Sequence, residues 1–202
     1  MTEAAWLACN SPEPMYSVLQ GMSTASERRW YLFACACLRD YRVRVTERRE
    51  YRGVTVWINA TEGYVDGLVT QARWESAGTR CGWAHEGSPH GHAAWTADAA
   101  ANAVSRGDPT EREGQYRREA DMVRDIFGNP FRHVIFCPSW RTSTAVSLTR
   151  QIYDSRDFSA MPILADALQD AGCEDEQLLG HCRGPGPHVR GCWAIDLVLG
   201  KG

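Results

Sequence analysis

The stretch from His181 to Trp193, HCRGPGPHVRGCW, holds the side chains of this sequence that are best suited to chemistry. A structural zinc site needs four thiolate or imidazole ligands in a tetrahedron. His181, Cys182, His188 and Cys192 are the candidate ligands here. The last predicted helix, HVRGCWAIDLVLG, begins at His188, so that His188 and Cys192 would share one of its faces. Because adjacent residues usually point in different directions, His181 and Cys182 form a poor pair of ligands. A distant thiol would then have to complete the site.

Cys35 and Cys37 are the candidates for this distant thiol. On a helix they point about 200° apart, so that one of them at most faces a given ion. Zinc binding by this stretch is therefore an alternative interpretation. The favoured interpretation, given below, predicts no cofactor.

The same stretch also has features of an anion or partner contact. Arg183 and Arg190 supply positive charge, and the start of a helix would supply backbone N–H groups. However, Pro185 and Pro187 lack the N–H donors that a phosphate cradle uses. The Lys-Ser/Thr ending of a phosphate loop is absent as well. A nucleotide site is therefore not expected, although an acidic partner would fit the two arginines.

The favoured interpretation of this stretch is a stiff joint between two helices. The two prolines fix their φ angles, and the glycines allow a tight path. The segment that follows, from Cys192 to Leu199, is apolar except for Asp196. Such a helix must be buried, so the joint would serve to aim it and the thiols would pack as small hydrophobic groups.

Signatures of known enzyme classes are missing from the sequence. It has no G-x-S-x-G, no H-E-x-x-H and no dinucleotide-binding G-x-G-x-x-G. His85, His90 and His92 could bind a metal, but they occur in a glycine-rich loop, where chance histidines accumulate. Cys137, just before Pro138, would be the nucleophile if the protein were a thiol-dependent enzyme. No base stands at a recognisable spacing from it, so no catalytic residue is predicted.

Most of the elements that must position these residues are predicted to be helices, because the sequence contains many helix start and stop signals. Thr2 and Ser11 are N-cap candidates, and Gly128 closes a long charged helix. The segment 46–76 fits both a strand and a helix pattern, and we favour helix. We therefore predict an all-α fold, a compact multi-helix domain with at most one short extended segment near 133–137.

Composition predicts three parts along the chain, which could form one continuous domain. These are an N-terminal helical part over 1–77, a variable loop plus an alanine-rich helix over 78–109, and a C-terminal helical part over 110–202. The loop itself, GTRCGWAHEGSPHG, covers residues 78–91.

Length and charge narrow the class of protein further. The 202 residues are 44% hydrophobic and 23% charged, which is enough for a real core. With a net charge of −3 we expect no nucleic-acid partner, and no apolar run is long enough to span a membrane. Eight cysteines without a secretory signal favour reduced thiols and a cytoplasmic location.

Three segments resemble an uncharacterised bacterial family that is expanded in planctomycetes. They are DIFGNPFR at 125–132, QIYDSRDFSAMPILADALQDAGC at 151–173 and HCRGPGPHVRGCWAIDLVLGKG at 181–202. The N-terminal MTEAAWLACNSPEPM and LFACACLR are similar to the same family. The resemblance implies a grouping without a mechanism, and it hints at interaction or regulation. The leading hypothesis is therefore a non-enzymatic protein-interaction or regulatory module whose protein partner is unknown.

Overall fold

The computed structural model describes residues 1–22, 25–44, 51–80, 88–105 and 107–201. In these ranges the chain forms eleven α-helices and two 3-10 turns, at Pro138–Trp140 and Phe158–Ala160, and no β-strand. The helices are α1 (Glu3–Leu7), α2 (Pro12–Leu19), α3 (Glu27–Arg44), α4 (Tyr51–Val65), α5 (Gln71–Arg80), α6 (Pro89–Ser105), α7 (Pro109–Phe127), α8 (Ser143–Ser155), α9 (Met161–Asp170), α10 (Glu176–Arg183) and α11 (Trp193–Leu199). The prediction of an all-α fold is confirmed.

Several helix ends follow directly from local sequence. The Thr2 hydroxyl accepts a hydrogen bond from the Ala5 N–H at 3.2 Å and so caps α1 as predicted. Asp175 caps α10 in the same way through the Leu178 N–H at 2.8 Å. Gly128 ends α7 with a φ of 73°, a left-handed conformation that glycine adopts at low cost.

The segment 46–76, with its two competing patterns, is helical over 51–65 and 71–76, and residues 66–70 form the turn between these helices. It forms α4 and most of α5, and the ring of Tyr64 stacks on that of Trp74 with centroids 4.4 Å apart. The Trp74 indole N–H also donates to the Thr61 hydroxyl at 2.9 Å. Residues 45–50 lie outside the described part of the chain.

Most of the loop predicted for 78–91 also lies outside the described residues, because these omit 81–87. Its two described ends belong to helices, since α5 continues to Arg80 and α6 begins at Pro89. His85 is among the residues that are not described.

Residues 133–137, where at most one short extended segment is predicted, form neither helix nor strand in the described chain, and Cys137 has an extended backbone. Val134 and Phe136 pack against the hydrophobic core of this region, whereas Ile135 is 88% exposed. This alternation is what an extended backbone produces on a core surface.

The last helix, α11, begins at Trp193, five residues later than the expected start at His188. Gly191 has a φ of 96°, which no α-helix can accommodate, so that the helix starts only after it. Residues 184–192 therefore form a loop, and His188 and Cys192 do not share a helix face.

The chain forms two compact units. One unit comprises residues Cys9–Met122, and the other comprises Met1–Ala8 together with Val123–Gly202. The three parts predicted from composition have boundaries that differ from those of these two units. The division into three parts stays a prediction. No helix in the described part of the chain is both long and apolar enough to cross a lipid bilayer.

The unit of residues Cys9–Met122 is built around α3. This helix packs against α4 and α6, while α5 packs on α4 and α2 on α6. Arg39 on α3 binds the buried carboxylate of Glu62 on α4 through two nitrogen–oxygen contacts of 2.9 Å. The largest fully buried side chains of its core include Trp57, Phe33, Met15 and Leu32.

The unit that contains the C-terminal helices has a separate hydrophobic core. Helix α8 packs on α9 and α11, and α10 packs on α9 and α11. Its core includes Ile152, Leu164, Leu168, Leu178 and Ile195. Helix α1 is tied to this unit by Glu3, which accepts from Asn129 at 2.8 Å and pairs with Arg132 at 2.9 Å.

Candidate metal centre

Four side chains from separate elements of the C-terminal unit converge on one point. Asp125 lies in the last turn of α7, His181 in the last turn of α10, His188 in the loop 184–192, and Cys192 just before α11. One ligand atom from each of them lies within 4.8 Å of all the others. Two segments that are far apart in sequence, the end of α7 and residues 181–192, thus meet at this cluster.

The loop path is what brings His188 into the cluster. Gly186 has a φ of 80°, and a Cβ at this position would lie 2.8 Å from the backbone nitrogen of His188. Only glycine therefore allows the chain to turn this tightly before His188. The Val189 N–H then donates to Asp125 Oδ2 at 2.8 Å, which fixes the loop against the end of α7.

Distances within the cluster are short. His188 Nδ1 lies 2.9 Å from Asp125 Oδ1, and His181 Nε2 lies 3.2 Å from the same oxygen. His181 Nε2 is also 3.1 Å from Cys192 Sγ. One imidazole nitrogen carries either a proton or a lone pair, so a single nitrogen cannot serve both neighbours fully.

The cluster is buried. The side chain of Asp125 is 2% exposed, that of His188 7% and that of His181 19%. Burial on its own raises the pKa of the Asp125 carboxyl, but the contacts with His181 and His188 outweigh it and hold that pKa below its ordinary value. The carboxylate is therefore ionised at neutral pH and needs positive charge close by.

The Cys192 thiol is fully buried beside that carboxylate. Burial, helped by the negative charge of Asp125, raises its pKa well above the ordinary value. Without a cation the sulfur thus stays protonated at neutral pH. A metal ion would displace this proton, because metals bind the thiolate.

The four side chains are of the types that bind tetrahedral zinc, and the three shortest contacts between them have hydrogen-bond lengths. Zinc–nitrogen and zinc–oxygen bonds of about 2.0–2.2 Å and zinc–sulfur bonds of about 2.3 Å place ligand atoms about 3.3–3.7 Å apart. To hold the ion, the contacts of 2.9–3.2 Å would open by a few tenths of an ångström, and the wider ligand pairs, which extend to 4.8 Å, would close by up to about 1 Å. Zn²⁺ would also be neutralised by one carboxylate and one thiolate, which suits a buried site.

A catalytic triad does not fit the same residues. In a Cys-His-Asp triad, one imidazole nitrogen faces the sulfur and the other faces the carboxylate. Here Nε2 of His181 faces both groups. The sulfur is also inaccessible, since Cys192 is 0% exposed.

Cys182, a predicted ligand, lies outside the cluster. It is buried in the hydrophobic core, and burial, with a contribution from Asp125, raises its pKa to about 12. The expectation that adjacent His181 and Cys182 point in different directions therefore agrees with the geometry. Cys35 and Cys37 belong to the other unit and are not in the cluster either.

Both arginines of the predicted anion contact are engaged by groups of the protein itself. Arg183 donates to Asp166 at 2.8 Å and to Gln169 at 2.7 Å. The guanidinium of Arg190 lies over the ring of Tyr153, 4.3 Å from its centroid. These contacts support a structural role for the two side chains.

Asp125 is the member of the cluster that the sequence analysis missed. It lies among Met122, Val123 and Ile126, all of which are buried. Asp121 and Arg124 are charged neighbours in the same stretch, so residue type alone does not single out Asp125. Helical spacing is the signal that could have revealed it, because Asp125 lies three residues after the buried Met122 and a buried charge requires a partner.

Comparisons with protein-family models, with curated proteins and with solved structures give no match for this chain. The site is therefore interpreted from its own geometry and chemistry.

Proposed function

We propose that this chain is a metal-stabilised helical protein that holds one zinc ion between Asp125, His181, His188 and Cys192. The observation that supports this most directly is the convergence of four ligand atoms within 4.8 Å in a buried site. The ion would join the end of α7, the end of α10 and the start of α11.

The ligand set favours zinc over other common metals. One thiolate and two imidazoles are too soft for Mg²⁺ or Ca²⁺, which prefer six or more oxygens. With four protein ligands the site has no open position for water or substrate, so the ion would be structural and not catalytic.

A reducing location such as the cytoplasm is part of this proposal. Every cysteine in the described part of the chain is a free thiol. A thiolate ligand is preserved where disulfides do not form.

Metal analysis of the protein purified without added chelator tests the proposal. We expect about one zinc per chain, and an apo protein that takes up Co²⁺ with a thiolate-to-cobalt charge-transfer band and tetrahedral d–d bands. Replacing Cys192→Ser should abolish the charge-transfer band. A metal content below about 0.2 per chain, together with no Co²⁺ uptake by the apo protein, would refute the proposal.

Cys182→Ala provides the matched control. It also removes a buried thiol in the same unit, but one that lies outside the cluster. We expect it to keep the metal and the cobalt spectrum even where it lowers stability. A loss of the charge-transfer band in Cys182→Ala, and not in Cys192→Ser, would assign the metal to a different ligand set.

The protein-interaction or regulatory role predicted from the sequence stays a prediction. It is compatible with a structural zinc ion, because such ions commonly hold together small domains that have no catalysis of their own.

A further inference from the structure

A second site lies in the unit of residues Cys9–Met122, between α2, α6 and α7. It is a cavity of about 360 Å³, which is within the range of small-molecule sites and much larger than a metal ion. Glu119 lines it, as do the acidic side chains of Glu13 and Asp98 and the rings of Tyr16 and Tyr116. No lysine, arginine or histidine is among the described residues that line it.

Glu119 is the residue that points to a ligand. It is 0% exposed, and its Oε1 accepts a hydrogen bond from Gln115 at 3.1 Å. Its Oε2 is buried and has no hydrogen-bond partner within the described chain. A buried carboxyl oxygen without a hydrogen-bond partner costs free energy. A ligand in the cavity that donates a hydrogen bond to this oxygen would remove that cost.

Asp98 is a second acidic side chain in the cavity wall, and groups of the protein already compensate its negative charge. Asp98 pairs with Arg112 at 3.2 Å and accepts from the Tyr116 hydroxyl at 3.0 Å. Glu13, by contrast, is exposed at the start of α2. A cationic group entering the cavity would therefore meet one deep carboxylate, with additional negative charge near solvent.

We propose that this cavity binds a small organic cation whose ammonium group donates a hydrogen bond to Oε2 of Glu119. The ring of Tyr16 would contact its carbon skeleton and favour its charge, since aromatic rings attract ammonium groups. The ring of Tyr116 already has the Arg112 guanidinium over it, 5.4 Å from its centroid. A bare metal ion fits less well, because the carboxylates here do not converge as the ligands of the metal centre do: the four-residue cluster around Asp125 is the one such group in the described chain.

Binding of this cation is coupled to a proton. Burial raises the pKa of Glu119 to about 8, so that the residue is mostly protonated at neutral pH and must ionise when the ammonium enters. The apparent affinity should then rise about tenfold per pH unit up to about pH 8. Three charged groups also act on the pKa of Glu119: Asp40 and Asp98 raise it, and Arg118 lowers it. The charge of Glu119 in turn raises the pKa values of Tyr16 and Cys37.

Calorimetric titration of the 202-residue chain, as purified without added chelator, with n-butylammonium and with 1,4-butanediammonium tests this inference. We expect dissociation constants below about 10 mM, with release of nearly one proton per ligand near pH 7, seen as a heat that depends on the buffer. Glu119→Gln should weaken binding at least about tenfold, since the neutral amide cannot balance the charge. Glu113→Gln, an exposed position on the same helix, is the matched control and should bind as the wild type does.

A second variant keeps the test valid where Glu119→Gln changes the fold. Ala94→Leu adds bulk to the half-buried cavity wall and leaves Glu119 in place, and it should also weaken binding. The inference is overturned if neither amine binds the wild type, if Glu119→Gln binds equally well, or if neutral 1-butanol binds as tightly. It is also overturned if K⁺ or Mg²⁺ displaces the amines at equal concentration.

Discussion

Nδ1 of His188 lies 2.9 Å from Oδ1 of Asp125, although 63 residues separate them in the chain. This contact joins the glycine- and proline-rich loop to the end of α7, and it places an imidazole beside a buried carboxylate. With His181 and Cys192 it defines the metal centre that we propose, and its consequences can be measured.

Asp125→Asn should sharply reduce the affinity for zinc. The amide is similar in size but neutral, so the bound ion would keep an uncompensated charge in a buried site. We expect a loss larger than the roughly 10–100-fold that follows from changing a hydrogen bond behind a ligand. Competition with a chromophoric chelator measures it. Asp170→Asn, at an exposed position of α9, is the control, and an equal loss in both variants would contradict a ligand role for Asp125.

Gly186→Ala should displace His188 and destabilise the protein. Its new Cβ would lie 2.8 Å from the His188 backbone nitrogen, at a φ of 80° that alanine adopts only at a cost. We expect a loss of about 1–3 kcal/mol in the free energy of unfolding, together with weaker zinc binding. Urea unfolding followed by circular dichroism gives the first quantity.

Gly180→Ala is the matched control for that substitution. Gly180 lies within α10, and a Cβ there meets nothing within 4 Å. Alanine should therefore stabilise this helix by about 0.5–1 kcal/mol. If Gly186→Ala were as stable as Gly180→Ala, the tight turn would not be needed.

The buried carboxyl of Glu119 should make stability fall as the pH rises. Its pKa is about 8 in the folded protein against an ordinary value of 4.5, because burial disfavours the charged form. Between these pH values the unfolded chain binds fewer protons than the folded one. The stabilisation is therefore complete below pH 4.5 and is lost as the pH rises to about 8. The free energy of unfolding falls by at most about 1.4 kcal/mol per pH unit in this window.

Glu119→Gln isolates this effect, since glutamine does not titrate in this range. Urea unfolding of the two proteins at several pH values between about 5 and 8 should give a stability difference that grows in favour of the variant. A constant difference would show that Glu119 is ionised in the folded protein.

Cys137 should be the described thiol that reacts fastest with an alkylating probe in the native protein. It is exposed, and a contact of 3.0 Å with the Ser139 hydroxyl lowers its pKa. Cys35, Cys37, Cys173, Cys182 and Cys192 are buried and should react slowly. Mass spectrometry of tryptic peptides after brief labelling measures these rates.

The variant Cys137→Ser bears on the alternative of a thiol-dependent enzyme. No histidine contacts this sulfur within the described chain, so that fast labelling would report exposure and not catalysis. We expect the variant to keep its zinc and its stability. A reaction with turnover that Cys137→Ser abolishes would favour the enzyme instead.

Local signals in the sequence determined the helical class and many of the helix ends. The Thr2 cap and the Gly128 stop act within one turn of the chain, so their effect is visible from neighbouring residues alone. Gly191 could have been recognised in the same way as a helix breaker. Its φ of 96° moved the start of α11 from the expected His188 to Trp193.

Tertiary structure alone decided which of the suggestive side chains meet. The sequence placed His181, His188 and Cys192 in one short stretch, but Asp125 joins them only because α7 ends where the loop turns back. Cys182 was equally suggestive by spacing, yet its position on α10 directs it into the hydrophobic core. Which atoms converge depends on helix packing between segments far apart in the chain, and residue spacing within one segment does not contain that information.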